Sequence, residues 1–332
     1  MWRLFFLLLF PISLSAQLKR FQFSENKMGS PFNLIFYHTD SAEAVIIAKE
    51  CFSIVDSLNN IFSDYSATSE TGRLTSQPSL NDIKVSDELY KMIVLSKQAW
   101  RISHKTFDIT IGALTQLWRK AKAEKRFPSE TEIRQAKEFT GFKNVGYDIF
   151  TRTISFKKQG IKLDFGGIVP GYVAQKIIDH LRSKNISRAL ADASGDIVVS
   201  DPPPAKEGWT IAINLPESEN ETWDKQLELK NFAVSTSGDV YRYLVYNGKR
   251  YSHIIDLRTG YGITTQRNVT VIAKDGATAD WLATACSILS IKRALRLVQK
   301  EHAVLFIATL KNEKIVIHKS KNFDRFFQKN KQ

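Results

Sequence analysis

Residues 241–256 read YRYLVYNGKRYSHIID. Two runs of Tyr, Leu, Val and Ile flank Asn247-Gly248, the dipeptide that best supports a type I′ turn. Tyr241–Tyr246 and Arg250–Asp256 are therefore expected to pair as a β-hairpin. Working outward, Ser41–Phe62 and Asp87–Ser103 carry apolar residues at helical spacing. Phe32–Tyr37, Val269–Ala273, Ala303–Ala308 and Lys314–His318 are strand-like in their Val, Ile and Phe content, and Lys311–Glu313 offers a second, weaker hairpin turn. Pro202–Pro204 opens a polar loop, the one internal break that the composition offers. Hairpins mixed with helices predict an α+β fold, and not a doubly wound parallel sheet.

Composition narrows the function classes. The 332 residues are 43% hydrophobic and 24% charged, which excludes a disordered chain, a collagen and a polytopic membrane protein. Forty-seven Lys and Arg against 34 Asp and Glu leave +13, a balance suited to an anionic substrate, a membrane surface or nucleic acid. Residues 1–16, MWRLFFLLLFPISLSA, place one Arg before an apolar run broken by Pro11 and then small residues. That run is far shorter than the ~20 residues that span a bilayer. It reads as a secretory signal peptide cleaved near Ser15–Gln17, with an uncleaved amphipathic anchor as the alternative. Residues 17–332 are then expected to form one exported domain, for which nucleic acid is not the partner. Cys51 and Cys286 each sit in an apolar stretch and are expected in the core, unpaired.

Four blocks carry chemistry. In KLDFGGIVPGYVAQKIIDHLRSKNI (162–186) a strand is expected to end at Asp164, followed by Gly166 and Gly167 and a helix starting near Pro170. Glycines admit close backbone approach and a helix N-terminus offers free N–H groups, so a phosphate would suit it. The same pattern also serves as a tight strand–helix connection. In KDGATADWLATACSIL (274–289), Asp280 and Thr284 are four apart and share one helix face. A carboxylate and a hydroxyl beside a phosphate suit Mg²⁺, although an acidic residue early in a helix also complements the dipole. Thr278 is expected to cap that helix. In VSTSGDVYRYLVYNGKRYSHIIDLRTGYGI (234–263), His253, Asp256, Arg258 and Thr259 cluster beside the hairpin, as a binding loop or as a self-capped turn. In KTFDITIGALTQLWRKAK (105–122), Asp108 and Thr110 precede a helix start.

Taken together and in order, these blocks resemble the FAD:protein FMN transferase family, the ApbE-like flavin transferases. The resemblance runs from Met28-Gly29 to about Leu289 and includes FSDYSATSETGRL (62–74), TFDITIGALTQLW, DFGGIVPGY, STSGDVYRY, YSHIIDLRTG and ATADWLATA. It implies a two-layer α+β fold binding FAD as substrate with one Mg²⁺ at its diphosphate. Flavin-side contacts would carry over to Met28, Tyr65, Thr106, Phe107, Asp108, Asp164 and His253, Ile254 and Ile255, with Pro170 at the phosphate end. Metal ligands would be the Asp280 and Thr284 side chains and the Gly167 carbonyl. Such enzymes transfer FMN from FAD to a target-protein threonine and release AMP, with Asp280 and His253 as the catalytic pair here. Their targets include extracytoplasmic subunits of membrane redox complexes, which agrees with export to the periplasm and contact with the outer face of the inner membrane.

Four positions depart from the family pattern. Pro170 stands where Lys or Glu is common, Gln175 where Asp is common, Ser194-Gly195 replaces a double glycine, and Leu257 replaces a proline. Losing one charged phosphate contact costs roughly 1.5–3 kcal/mol. Two other outcomes therefore stand beside transfer: a flavin-binding module without activity, and a Mg²⁺-dependent FAD pyrophosphatase that uses water.

Overall fold

The computed structural model describes residues 17–216, 223, 225–238 and 243–327. The signal-like segment 1–16 and Tyr241 of the expected hairpin lie outside them. Eight helices occur among the described residues: α1 (Ser41–Phe62), α2 (Glu70–Ser76), α3 (Asp87–Ile102), α4 (Gly112–Ala123), α5 (Glu130–Glu138), α6 (Val169–Ser183), α7 (Gly276–Ile288) and α8 (Ile291–Lys300).

Eight strands form one antiparallel sheet in the order Lys19–Lys27, Ser30–His38, Ala189–Ala193, Asp196–Val199, Phe232–Gly238, Arg267–Ala273, Val304–Lys311 and Lys314–Lys319. Alternation along the central strands decides what each face buries. Ala191, Ala233, Val271 and Leu305 point into a large core with Ile47, Val55, Ile177 and Leu282 of α1, α6 and α7. Leu190, Val234, Ile272 and Phe306 point the other way, against the small sheet Trp209–Ile211/Leu227–Leu229 and the turn around Phe323 and Phe326. The α+β reading is correct: helices cover one face and a minor sheet shields part of the other. Strands Asp196–Val199 and Phe232–Gly238, on either side of the Pro202–Pro204 loop, are hydrogen-bonded neighbours. Cys51 and Cys286 are buried free thiols.

Turn chemistry held at both hairpins. Asn247 (φ 49°) and Gly248 (φ 71°) close Tyr243–Tyr246 onto Lys249–Ser252, and Asn312 (φ 49°) and Glu313 (φ 60°) close the last pair. The first hairpin is shorter than expected, because its second strand stops at Ser252. There the Ser252 hydroxyl accepts the Ile254 N–H at 3.1 Å while the Ser252 N–H donates to Ile263 at 2.9 Å. The chain bends at His253, and Ile255–Asp256 pairs instead with Tyr261–Gly262. A second correction concerns Asp164: Ile161–Phe165 joins no sheet, since the Asp164 N–H donates to Ile109 C=O at 2.7 Å outside any ladder.

Registers fix which loops share an end of the main sheet. The Met28-Gly29 turn, the Ser194-Gly195 turn, the end of Phe232–Gly238 and the start of Arg267–Ala273 all lie at one edge. The Ser194 hydroxyl donates to Pro31 C=O at 3.0 Å across that edge.

Candidate active site

Helix α7 is the spine of the site. Asp275 caps it by accepting the Thr278 N–H at 2.9 Å, so the cap is Asp275 and Thr278 is the residue it captures. An Asx oxygen reaches the N–H three residues on, and Asp275 stands where that geometry needs it. Five residues past the cap, Asp280 is 3% exposed, and its Oδ2 accepts the Gly171 N–H at 3.1 Å from the first turn of α6. Gly171 and Gly276 permit this approach: a Cβ on Gly171 would lie 2.2 Å from Gly276 C=O.

One turn further along α7, the Thr284 hydroxyl lies 3.4 Å from the Ser237 hydroxyl. Gly167 packs onto the same threonine, where an added Cβ would meet Thr284 Oγ1 at 2.7 Å. Asp280, Thr284 and Gly167, proposed from sequence as one ligand set, are thus gathered by α7 and the turn before α6. Asp196 joins them from the sheet edge, its carboxylate hydrogen-bonded to the Ser235 hydroxyl. Burial pushes the Asp280 carboxyl well above the usual carboxylate range, and the Asp196 charge adds to it against the pull of the Gly171 N–H. Burial likewise pushes Asp196 up to about 7, with the Ser235 bond opposing and the Asp192 charge assisting.

Buried Asp280, whose proton affinity the charge of half-buried Asp196 raises, belongs to a donor set that a cation would stabilise. Among the described residues no group of three or more His, Cys, Asp and Glu gathers. The surrounding donors are hydroxyl and backbone oxygens, the hard ligands that Mg²⁺ takes while keeping several waters. The residues present fit that ion.

The residues that the resemblance would assign to the flavin side sit around two loops. Phe107 is buried and leans on Trp281, centroids 6.2 Å apart, which joins the 103–108 loop to the ligand helix. Thr106 is half-buried beside it. Asp108 turns inward: its Oδ1 accepts from the Thr110 N–H (2.9 Å) and hydroxyl (2.6 Å), and its Oδ2 from the Phe142 N–H (3.0 Å). Oδ1 thereby caps the 3₁₀ turn Ile109–Ile111 that leads into α4, and Oδ2 ties it to the Phe142–Asn144 turn. Asp164 accepts the Gly166 N–H at 2.8 Å and shapes the turn that presents Gly167. Tyr65 is 76% exposed on the loop before α2. Met28 holds φ 54° at the tip of its turn and packs on the edge of the main core.

His253 is exposed at the bend described above, while Ile254 and Ile255 are buried. Ile255 belongs to a separate cluster with Leu114, Trp118 and Ile133, and the Trp118 indole N–H donates to Gly260 C=O at 3.0 Å. The His253 loop is therefore docked on α4 and α5, whereas Asp280 and Thr284 stand on α7 and Gly167 in the turn before α6. Pro170 is half-buried in the first turn of α6, whose N-terminus has no side-chain cap. The Gln175 Oε1 accepts the Gly276 N–H at 3.3 Å, so the amide supplies an acceptor to the start of α7.

A family description matches nearly the whole of this arrangement: the ApbE family, over residues 28–307. The chain belongs to the ApbE family. An ApbE protein from Thermotoga maritima superposes with a TM-score of 0.85 at 28% identity, covering 94% of this chain and all of the other. The apo flavinyl transferase ApbE of Pseudomonas stutzeri gives 0.82 at 27%, covering 94% and 98%. A Klebsiella pneumoniae protein named FAD:protein FMN transferase is 26% identical over 298 residues, 90% of this chain and 91% of its own length.

Within that ApbE frame, the sequence reading passed over Asp64, Arg119, Asp196, Ser235 and Ser237. Ser235 and Ser237 alternate on one face of a strand, and Asp196 follows the Ser194-Gly195 turn, so their signals were in the sequence. Arg119 had none, because it reaches a loop 55 residues away.

Proposed function

We propose that this protein transfers the FMN half of FAD to a threonine hydroxyl of an exported target protein, with Mg²⁺, releasing AMP. The observation that carries the reading is the convergence of Asp280, Thr284, Ser237 and Gly167 where two helices meet one sheet edge. In the transfer, the threonine oxygen forms a bond to the riboflavin-side phosphorus, the bond to the AMP oxygen breaks, and the hydroxyl proton leaves. Bound Mg²⁺ would neutralise diphosphate charge, held by Asp280, Thr284 and the Gly167 carbonyl. This chain's own residues orient the reactants. Asp280 is fixed by Gly171, and exposed His253 accepts the threonine proton. Tyr65, Thr106, Phe107 and Asp164 line the flavin side.

The Gln175 carbonyl supplies a hydrogen-bond acceptor to the start of α7 where family members commonly carry a carboxylate, so this departure leaves that helix start anchored. The partner we infer is an extracytoplasmic subunit of a membrane redox complex, met in the periplasm at the outer face of the inner membrane. Support comes from the signal-like residues 1–16 and the +13 charge, with 17–332 acting as one domain. Among the described residues no helix is long and apolar enough to cross a membrane.

The test mixes purified protein, FAD, Mg²⁺ and a candidate acceptor, and reads flavin fluorescence on a denaturing gel together with AMP release. Transfer should require both acceptor and metal and vanish in Asp280→Ala. AMP released equally without acceptor would establish hydrolysis, and undiminished activity of Asp280→Ala would remove the metal assignment.

A further inference from the structure

Tyr65 presents an unusual problem for a binding residue. Its ring is 76% exposed on a loop, where an aromatic side chain has more than one rotamer open to it. A ring free to rotate loses that freedom when a planar ligand stacks on it, which weakens binding. In this chain the ring is not free.

Arg119, from α4, crosses to the 63–69 loop and lays its guanidinium over Tyr65, with the central carbon 4.0 Å from the ring centroid. The same guanidinium makes a paired contact with Asp64, Nη1 to Oδ1 at 3.3 Å and Nη2 to Oδ2 closer still. Asp64 is 9% exposed and Arg119 30%, so the pair is substantially withdrawn from solvent. A planar fork bonded to a carboxylate at two points has little freedom left, and its flat face is what an aromatic ring stacks upon. The backbone adds a further restraint, since the Tyr65 N–H donates to the Ser63 hydroxyl at 3.3 Å.

Stacking by Arg119 covers one face of Tyr65 and leaves the ring 76% exposed, so the other face is open to a planar partner. We propose that Arg119, locked by Asp64, is a positioning residue that holds the Tyr65 ring in the orientation that receives the isoalloxazine of FAD. The proposal rests on the flavin reading given above and adds to it a residue and a device. Arg119 touches no reacting atom. It acts through Tyr65 by removing the entropy that the ring would otherwise lose on binding, and an electron-withdrawing guanidinium beneath a phenol suits stacking on the opposite face.

A double-mutant cycle tests this. Removing Arg119 alone would strand a buried carboxylate, so the pair is neutralised together as Asp64→Asn/Arg119→Met and compared with wild type, in the Tyr65 and the Tyr65→Ala backgrounds. FAD affinity is read by titration calorimetry, and AMP release is read over a range of FAD concentrations up to saturation. The neutralised pair should weaken FAD about three- to tenfold, the range of a partly desolvated cation–π contact. It should raise KM by the same factor and leave kcat within twofold, a split that a damaged fold would not produce. With Tyr65→Ala already present, the same pair change should cost nothing more. An equal loss in both backgrounds, or no loss in either, overturns the proposal while FAD binding by the wild type still stands. A wild type that does not bind FAD sinks the flavin reading itself.

Discussion

The backbone N–H of Gly171 donates to Asp280 Oδ2 at 3.1 Å, tying the first turn of α6 to the second turn of α7. That bond requires two glycines, because a Cβ on Gly171 would lie 2.2 Å from Gly276 C=O and 2.9 Å from Asp280 Cβ. Gly171→Ala is therefore expected to force the helices apart, and the atoms it meets first are backbone, which cannot rotate away. Overpacking of this kind costs about 1–3 kcal/mol. At this chain length that lowers the melting temperature by about 1–2 °C for each kcal/mol. Calorimetry checks it, and a melting temperature equal to wild type would show that the two helices separate freely.

Pro170 stands one residue before Gly171 in the same turn of α6. It occupies the first turn of α6, where the N–H that proline lacks is not needed. Pro170→Lys should tighten FAD binding by at most about tenfold, since partly exposed charge pairs are worth roughly 0–1 kcal/mol. The gain should fade as salt rises. Weaker binding instead would show that the proline shapes the helix start.

Asp275-Gly276-Ala277-Thr278 resembles the acceptor sites that the family modifies, which raises the question of self-modification at Thr278. The structure makes Thr278 part of the α7 cap, its N–H held by Asp275 at 2.9 Å, two residues before Asp280. Reaching an in-line position on phosphorus would unwind that turn and displace Asp280. The mass of the purified protein after incubation with FAD and Mg²⁺ should be unchanged, and an added FMN mapping to Thr278 would contradict this.

Cys51 and Cys286 give a pH dependence of known sign. Burial pushes each thiol up to about 12 from an ordinary value near 9. In the unfolded chain both ionise near pH 9, whereas in the folded protein they stay protonated to about 12. The unfolded state therefore releases protons first, and stability is full below pH 9 and falls as pH rises from 9 to 12. Neither thiol should be alkylated in the native protein at pH 8. Replacing both with Ala or Ser should flatten the decline in stability above pH 9, read from urea unfolding at successive pH values.

Much of this architecture was legible because its signals are local. Ser41–Phe62 was recovered to the residue, because Asp40 caps it and its apolar face repeats at helical spacing. Both two-residue hairpin turns followed from residues that tolerate positive φ. That Asp280 and Thr284 share one helix was readable from their spacing. What could not be read depends on contacts between distant segments. The end of the hairpin at Ser252 is set by a bond to Ile263, the extended run before Asp164 by Ile109, and the fork over Tyr65 by a helix far along the chain. The cap of α7 was misassigned for another reason: Asp275 and Thr278 are both good caps, and only the fold decides between them.

Helix α7 lies in the main core, with Ala279, Leu282, Ala283 and Ala285 buried between α6 and the central strands, and Asp280 emerges from its middle. Tyr65 and His253 stand on exposed loops instead. The two halves of the site thus belong to different levels of the stability hierarchy. The Asp280 half can open only when the core opens, so its amide protons should exchange with solvent on the timescale of global unfolding. A cation bound there would hold the whole molecule folded by mass action, while a ligand on the loop half would quiet only the loops it touches.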